Sequence, residues 1–323
     1  MRILLTGGGG FIGTALAERL VENNNVVLLD TNFDHNAFAF SRLKGHRNIE
    51  IANIDILDAS KIREIARNAQ IVIHMAARLG VHEVIRNASY TLDVNYIGTS
   101  NLLKAVSVNS SCMRFIFFST SEIFGSNAFN VVENGSSVLH SIQDARWCYC
   151  LSKLAAEHLA FSYFREKGLP VVVIRPFNIF GPRRIGENVT RKFILNALQN
   201  KDLTVYGDGT QIRAWCYIDD FCDAVLKSIE VEDAIGEAFN IGNPNNIVTA
   251  YELAKKTIRL CNSGSRIVFE RPDFIDIDVR VPSIAKARDI LGFAPKIDID
   301  EGLSRTVEWF KEHLEEIRKC LMM

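Results

Sequence analysis

Short apolar runs recur through the first half of the chain at Arg2–Thr6, 26–30, Ile49–Asn53 and 71–75, and again at Arg114–Phe118 and 171–175. Between them lie stretches such as 11–21 and 90–108, whose apolar residues fall at helical spacing. This alternation of strand and helix predicts an α/β fold, a doubly wound parallel sheet covered by helices on both faces. Beyond Pro176 the order loosens, and turn signals at Gly181-Pro182, Gly207-Asp208-Gly209 and Gly242-Asn243-Pro244 separate shorter elements. At 323 residues the chain is long for one compact core. Two parts with a cleft between them are expected: a larger domain over 1–176, which the 212–232 segment also joins, and a smaller α/β C-terminal lobe over 177–323. Residues 301–319 read as a solvated amphipathic helix.

Composition removes several classes of function. Hydrophobic residues make up 48% and charged residues 23%, with a formal net charge of -1, so no general attraction to polyanions exists and no nucleic-acid partner is expected. No run approaches the roughly 20 apolar residues that a membrane span requires. The first strand-like run begins at Arg2, which leaves no room for an export signal, and seven cysteines at irregular spacing suit a reducing compartment. A cytoplasmic location is the expectation. Cys148 and Cys150 flank Tyr149 without a further ligand cluster, so burial beside a site is expected there and no metal.

The first strand runs into Thr6-Gly7-Gly8-Gly9-Gly10-Phe11-Ile12-Gly13, which opens a helix. Glycines in that position permit a tight turn and bring a pyrophosphate close to the helix N-terminus, as in a Rossmann-type dinucleotide site. Two registers fit, Gly8, Gly10 and Gly13 or Gly7, Gly10 and Gly13. Asp30 ends the second strand, where a carboxylate accepts hydrogen bonds from a ribose diol and repels a 2′-phosphate, so NAD rather than NADP is expected. Asp55-Ile56 and His74-Met75-Ala76-Ala77 follow the third and fourth strands at the carboxyl edge, with His74 more plausible as a structural residue. Tyr149 and Lys153 have the Tyr-x-x-x-Lys spacing that places both side chains on one helical face. A nearby ammonium and a cationic nicotinamide would favour the phenolate of a tyrosine whose ordinary pKa is about 10. The strand before them ends in Ser119-Thr120-Ser121-Glu122, delivering a hydroxyl and a carboxylate to the same edge.

With these residues the chain resembles the extended short-chain dehydrogenase/reductases, particularly the NAD-dependent nucleotide-sugar epimerases, dehydratases and decarboxylases. The resemblance spans nearly the whole length. It adds Asn95 with Gly98-Thr99 and the run Arg175-Pro176-Phe177-Asn178-Ile179-Phe180-Gly181-Pro182 to the motifs above. It implies that Tyr149 is the base, that Lys153 holds the nicotinamide ribose and lowers the Tyr149 pKa, and that Thr120 binds the substrate hydroxyl. Gly7, Gly10, Phe11, Ile12, Gly13, Asp30, Asp55, Ile56, Ala76, Ala77 and Asn95, with Tyr149 and Lys153, are the implied cofactor residues. Ser121, Asn178, Arg213 and Arg280 are the implied substrate residues, the last three matching contacts to a nucleotide diphosphate. A homodimer is implied, paired through the helices that carry Asn95 and Tyr149.

Members of this family begin alike, by oxidising a sugar at C4, and then diverge to epimerisation, 4,6-dehydration or decarboxylation. Glu122 bears on the divergence, because a carboxylate near C5 and C6 can act as the C5 base. The Thr-Ser-Glu run resembles decarboxylases and some dehydratases, while Ser121 departs from the Thr-Asp-Glu of TDP-glucose dehydratases. The loop Arg78-Leu79-Gly80-Val81 lacks the Ser-Pro-rich segment of common decarboxylases. The leading expectation is C4 oxidation of a UDP-sugar with Glu122 assisting dehydration or decarboxylation, and a 4-epimerase is the alternative. A dinucleotide-binding sensor without turnover is the third reading, and such proteins usually lack the Tyr and Lys.

Overall fold

The computed structural model describes residues 1–272 and 274–322. Seven parallel strands form the main sheet in the spatial order Ala238–Ile241, Val171–Pro176, Arg114–Phe118, Ile71–His74, Arg2–Thr6, Asn25–Asp30 and Ile49–Asn53. Strand order reverses beside Arg2–Thr6, which opens the crevice where doubly wound sheets bind ligands. The continuous apolar runs have a direct cause, because successive residues face opposite layers. Ile3, Leu5, Val26, Leu28, Ile116 and Ile174 pack on one face, and Leu4, Val27, Leu29, Phe115, Phe117 and Val173 pack on the other.

The chain does not divide cleanly at 176. Ala238–Ile241 returns to extend the main sheet, and the helix Ile218–Glu230 packs on Phe11–Leu20 beneath it. In the other direction, Asn127–Val131 leaves the first half to join a four-stranded sheet with Val279–Pro282, Ile212–Ala214 and Ile247–Thr249. Short strands that pair only with distant partners carry too little local pattern to assign from sequence. A second departure concerns 90–108, which is not one regular helix. Ala88–Leu92 and Gly98–Val106 are joined by a π turn over Asp93–Ile97. Such bulges re-aim side chains, and this one carries Asn95 inward. Among the described residues no helix is long and apolar enough to cross a membrane.

Candidate active site

The glycine loop fits a dinucleotide on steric grounds. Gly7 has φ +73, and a Cβ there would lie 2.9 Å from Ala76 N, so the loop packs backbone to backbone against the end of the fourth strand. A Cβ on Gly13 would lie 2.4 Å from Gly7 O, so only glycine lets the helix seat on the turn. At Gly10, by contrast, the nearest backbone is Gly7 O at 3.2 Å and the space beyond is open. Gly10 caps the helix Phe11–Leu20 without a side-chain bond, which leaves its first N–H groups directed at that space. Asp30 closes the other side: Oδ2 accepts the Gly9 N–H at 3.0 Å and Oδ1 accepts the Thr31 N–H at 2.8 Å. Burial raises its pKa against these bonds. Asp55 sits on the neighbouring strand end, where Oδ1 accepts the Leu57 N–H at 2.9 Å, and Gly98 allows its helix to pack against Ile56.

His74 is structural. It is fully buried between Thr6 Oγ1 at 2.6 Å and Thr99 Oγ1 at 2.8 Å, and burial, aided by the Lys153 charge, holds its pKa well below the ordinary value. Thr99 Oγ1 donates to Asn95 O, so the neutral ring donates from Nε2 to Thr99 and accepts from Thr6 at Nδ1. Thr6 Oγ1 in turn accepts the Ala76 N–H, which ties the glycine strand to the Ala76-Ala77 segment. Asn95, an implied cofactor residue, also holds the protein together around the site. Its amide is fully buried and engaged within the protein, with Oδ1 accepting the Arg78 N–H and Nδ2 donating to Arg78 O and Ser152 Oγ. It clamps the loop after Ala77 to the helix that bears Tyr149.

That helix, Cys148–Lys167, presents Tyr149 and Lys153 one turn apart beneath Thr120 and Glu122. Thr120, whose hydroxyl accepts the Glu122 N–H at 3.2 Å, lies near the Tyr149 hydroxyl and favours its phenolate. Burial outweighs it, and the Glu122 charge adds to burial, so the phenol lies above its ordinary pKa. Lys153 is 2% exposed with Nζ 4.3 Å from the centre of the Phe117 ring, and burial pulls it down to about 7. The cation acting to lower Tyr149 here is Arg184, which donates from Nη1 to Ile179 O at 2.7 Å and lies over the Phe11 ring. Sequence reasoning passed over Arg184, since nothing in the spacing joins a residue after the Gly181-Pro182 turn to Tyr149.

Of the implied substrate residues, Ser121, Arg213 and Arg280 lie around Glu122. Arg213 and Arg280 are register partners on adjacent parallel strands and so share one face of the second sheet. Arg213 pairs with Asp276 at 3.3 Å. Arg280 donates to Gly125 O at 2.7 Å and reaches Ser121 Oγ at 3.4 Å, which places it against the Glu122 turn. Asn178 takes a left-handed conformation with φ 45 and its amide donates to Ala214 O at 3.2 Å, linking the main sheet to the Arg213 strand. Arg146 is a further member: Nη1 lies 3.5 Å from Glu122 Oε2. In sequence the run Arg146-Trp147-Cys148-Tyr149 resembles that of UDP-glucuronic acid decarboxylases, but no role for Arg146 was assigned from it. Cys150 is buried with its thiol donating to Glu122 O, and burial pushes the thiol up to about 12.

The family model of the NAD dependent epimerase/dehydratase family matches residues 3–242. The chain is 35% identical to the UDP-N-acetyl-alpha-D-glucosaminuronate decarboxylase of Bacillus cytotoxicus, over 96% of its own length and 98% of the relative's. It is 30% identical to the dTDP-glucose 4,6-dehydratase of Streptomyces niveus over 97% of its length and 94% of that protein's. Its fold matches the UDP-glucuronic acid 4-epimerase of Bacillus cereus, solved with UDP-glucuronic acid and NAD, at a TM-score of 0.88 and 26% identity, covering 97% of this chain and 99% of that one.

Proposed function

The chain belongs to the NAD-dependent epimerase/dehydratase family, and on that premise we propose that it oxidises a UDP-sugar at C4 and then, with Glu122, dehydrates or decarboxylates it. NAD, when bound, supplies the hydride acceptor. The glycine loop, the open helix N-terminus after Gly10 and Asp30 form its seat, with Phe11, Ile12, Asp55, Ile56, Ala76 and Ala77 around them. Tyr149 takes the proton of the C4 hydroxyl while Thr120 holds that hydroxyl by a hydrogen bond, and Lys153 lies one turn along the same helix. Asn178, Arg213 and Arg280 bind the remainder of the nucleotide sugar, and Ser121 lies beside Arg280.

The observation that carries this reading is the meeting of Thr120, Glu122 and Tyr149 at one strand end, with the Glu122 charge felt at the Tyr149 phenol. A 4-keto-sugar has an acidic C5 proton, and Glu122 is the base placed to take it before water leaves from C6. A 4-keto-uronic acid is instead a β-keto acid, which loses carbon dioxide and is then reprotonated at C5. A 4-epimerase shares the oxidation but turns the ketone over before reduction, and the likeness to the Bacillus cereus 4-epimerase favours keeping that alternative in the test. Incubating the protein with UDP-, TDP- and GDP-sugars, uronic acids included, separates the outcomes by mass and ring couplings. Loss of water or of carbon dioxide supports the proposal, and an unchanged mass with inverted C4 couplings supports the alternative. Retention of turnover by Tyr149→Phe overturns the mechanism.

The protein is further proposed to form a homodimer through the helices Gly98–Val106 and Cys148–Lys167. Exposed Ile97 (46%) and Leu151 (43%) lie at and on these helices, with Tyr90 and Tyr96 nearby. A dimer mass in light scattering is the expected result.

A further inference from the structure

The segment that follows Asp30 is held from two sides, and one of them comes from the far end of the chain. On the cofactor side, Phe38 N–H donates to Gly9 O at 3.1 Å, and the Phe33 and Phe38 rings meet edge to face with centres 5.1 Å apart. A Cβ on Gly9 would lie 3.1 Å from the Phe33 ring, and one on Gly10 would lie 4.0 Å from Asn36 Nδ2. Residues 33–38 therefore wrap the glycine loop at the edge that Asp30 closes. Ser41 then turns the chain, its N–H and its hydroxyl both donating to Phe38 O. Phe38 stays in the core under the main sheet, whereas Phe40 packs into the cluster of the C-terminal helices. Its ring centre is 5.5 Å from that of Trp309 and 6.1 Å from that of His313, edge to face in both cases. Trp309, on the helix Ile299–Glu312, is fixed in turn: it stacks on His313 at 4.5 Å and meets the buried Phe310 edge-on at 5.2 Å. The turn Ala37–Phe40 is a 3-10 helix of four residues, too short to hold one position by its own bonds, so tertiary contacts order it.

We infer that Trp309 is a positioning residue for the cofactor: through Phe40 it keeps residues 33–38 closed on the glycine loop, and so sets how tightly the adenosine half of NAD is held. The inference rests on the NAD seat described above and does not depend on what becomes of the sugar. Trp309 acts without touching NAD. Its effect is preorganisation, because affinity falls in proportion to the fraction of molecules whose site is closed. An edge-to-face aromatic contact of this kind shifts that fraction by about fivefold to tenfold.

The test pairs titration of NAD and of ADP-ribose, which carries the same adenosine, with amide hydrogen exchange of the NAD-free protein. The expected result for Trp309→Ala is that both ligands bind about fivefold to tenfold more weakly. Exchange quickens over residues 33–40, while the strand Ile71–His74 stays as protected as in the wild type. Phe40→Ala gives the same two changes, and the double variant binds NAD within about twofold of the weaker single one, because a single contact is lost. An unchanged NAD affinity in Trp309→Ala overturns the inference. So does a loss of protection that extends through the main sheet, which assigns Trp309 to folding, and so do losses that multiply in the double variant. Should Trp309→Ala not fold, Trp309→Leu and Phe40→Ala are read in the same way. If the wild type binds no NAD, the seat falls and the inference with it. If the wild type binds NAD and the variants bind it as tightly, the seat stands and the inference alone falls.

Discussion

Asp30 Oδ2 accepts the Gly9 N–H at 3.0 Å, so the carboxylate proposed to select the cofactor also pins the loop that cradles it. Asp30→Ala removes both functions. NAD affinity should fall by about tenfold to a hundredfold, with discrimination against NADP lost, both read by fluorescence titration. An unchanged NAD to NADP ratio would remove Asp30 from cofactor selection.

Gly13→Ala tests the steric reading of the glycine turn. The new Cβ would lie 2.4 Å from Gly7 O and 2.8 Å from Gly8 Cα, and both obstacles are backbone. The loop must shift at a cost of about 1–3 kcal/mol, seen as a lower melting temperature together with loss of NAD binding. Normal NAD affinity in this variant would show that the turn tolerates a side chain.

Lys153 gives stability a pH dependence of known sign. Burial lowers its pKa from 10.5 to about 7, so between these values the unfolded chain holds a proton that the folded chain does not. Stability from this group therefore rises with pH through that window, and the penalty for burying the ammonium is fully present below it. In urea denaturation of the ligand-free protein, Lys153→Met should gain on the wild type at pH 7 and lose that advantage toward pH 10.5. A difference that is constant with pH would refute the buried titration.

Arg184 opposes the burial that raises Tyr149. Replacing it by Gln withdraws that charge, so the limb of the pH–rate profile that reports Tyr149 ionisation should move to higher pH. A parallel loss of rate at every pH, with the limb unmoved, would place Arg184 in binding instead.

Glu122→Gln keeps the shape of the side chain and removes the base. Under the dehydratase or decarboxylase reading, the first oxidation survives and absorbance of the reduced nicotinamide accumulates on mixing with substrate, while release of product slows by about a hundredfold or more. Full turnover by this variant would return Glu122 to the role of a loop carboxylate.

The main sheet was legible because five of its strands, all but the edge strands Ile49–Asn53 and Ala238–Ile241, are apolar on both faces in sequence and in the fold, a pattern that only a strand covered from two sides produces. The glycine loop, Asp30 and the Tyr149–Lys153 pair were legible for a related reason, since each is a local spacing that follows from turn or helix geometry. Sequence alone therefore determined most of the sheet, the cofactor class and the placing of Tyr149 and Lys153 on one helix. What it could not express are relations between residues far apart in the chain. Ala238–Ile241 joins the main sheet, Arg213 comes opposite Arg280, Arg184 faces Tyr149, and Asn95 spends its amide on Arg78 and Ser152. Only the tertiary structure decided that the buried Arg146 and Arg280 lie around Glu122, because burial belongs to the packed chain and has no period along it.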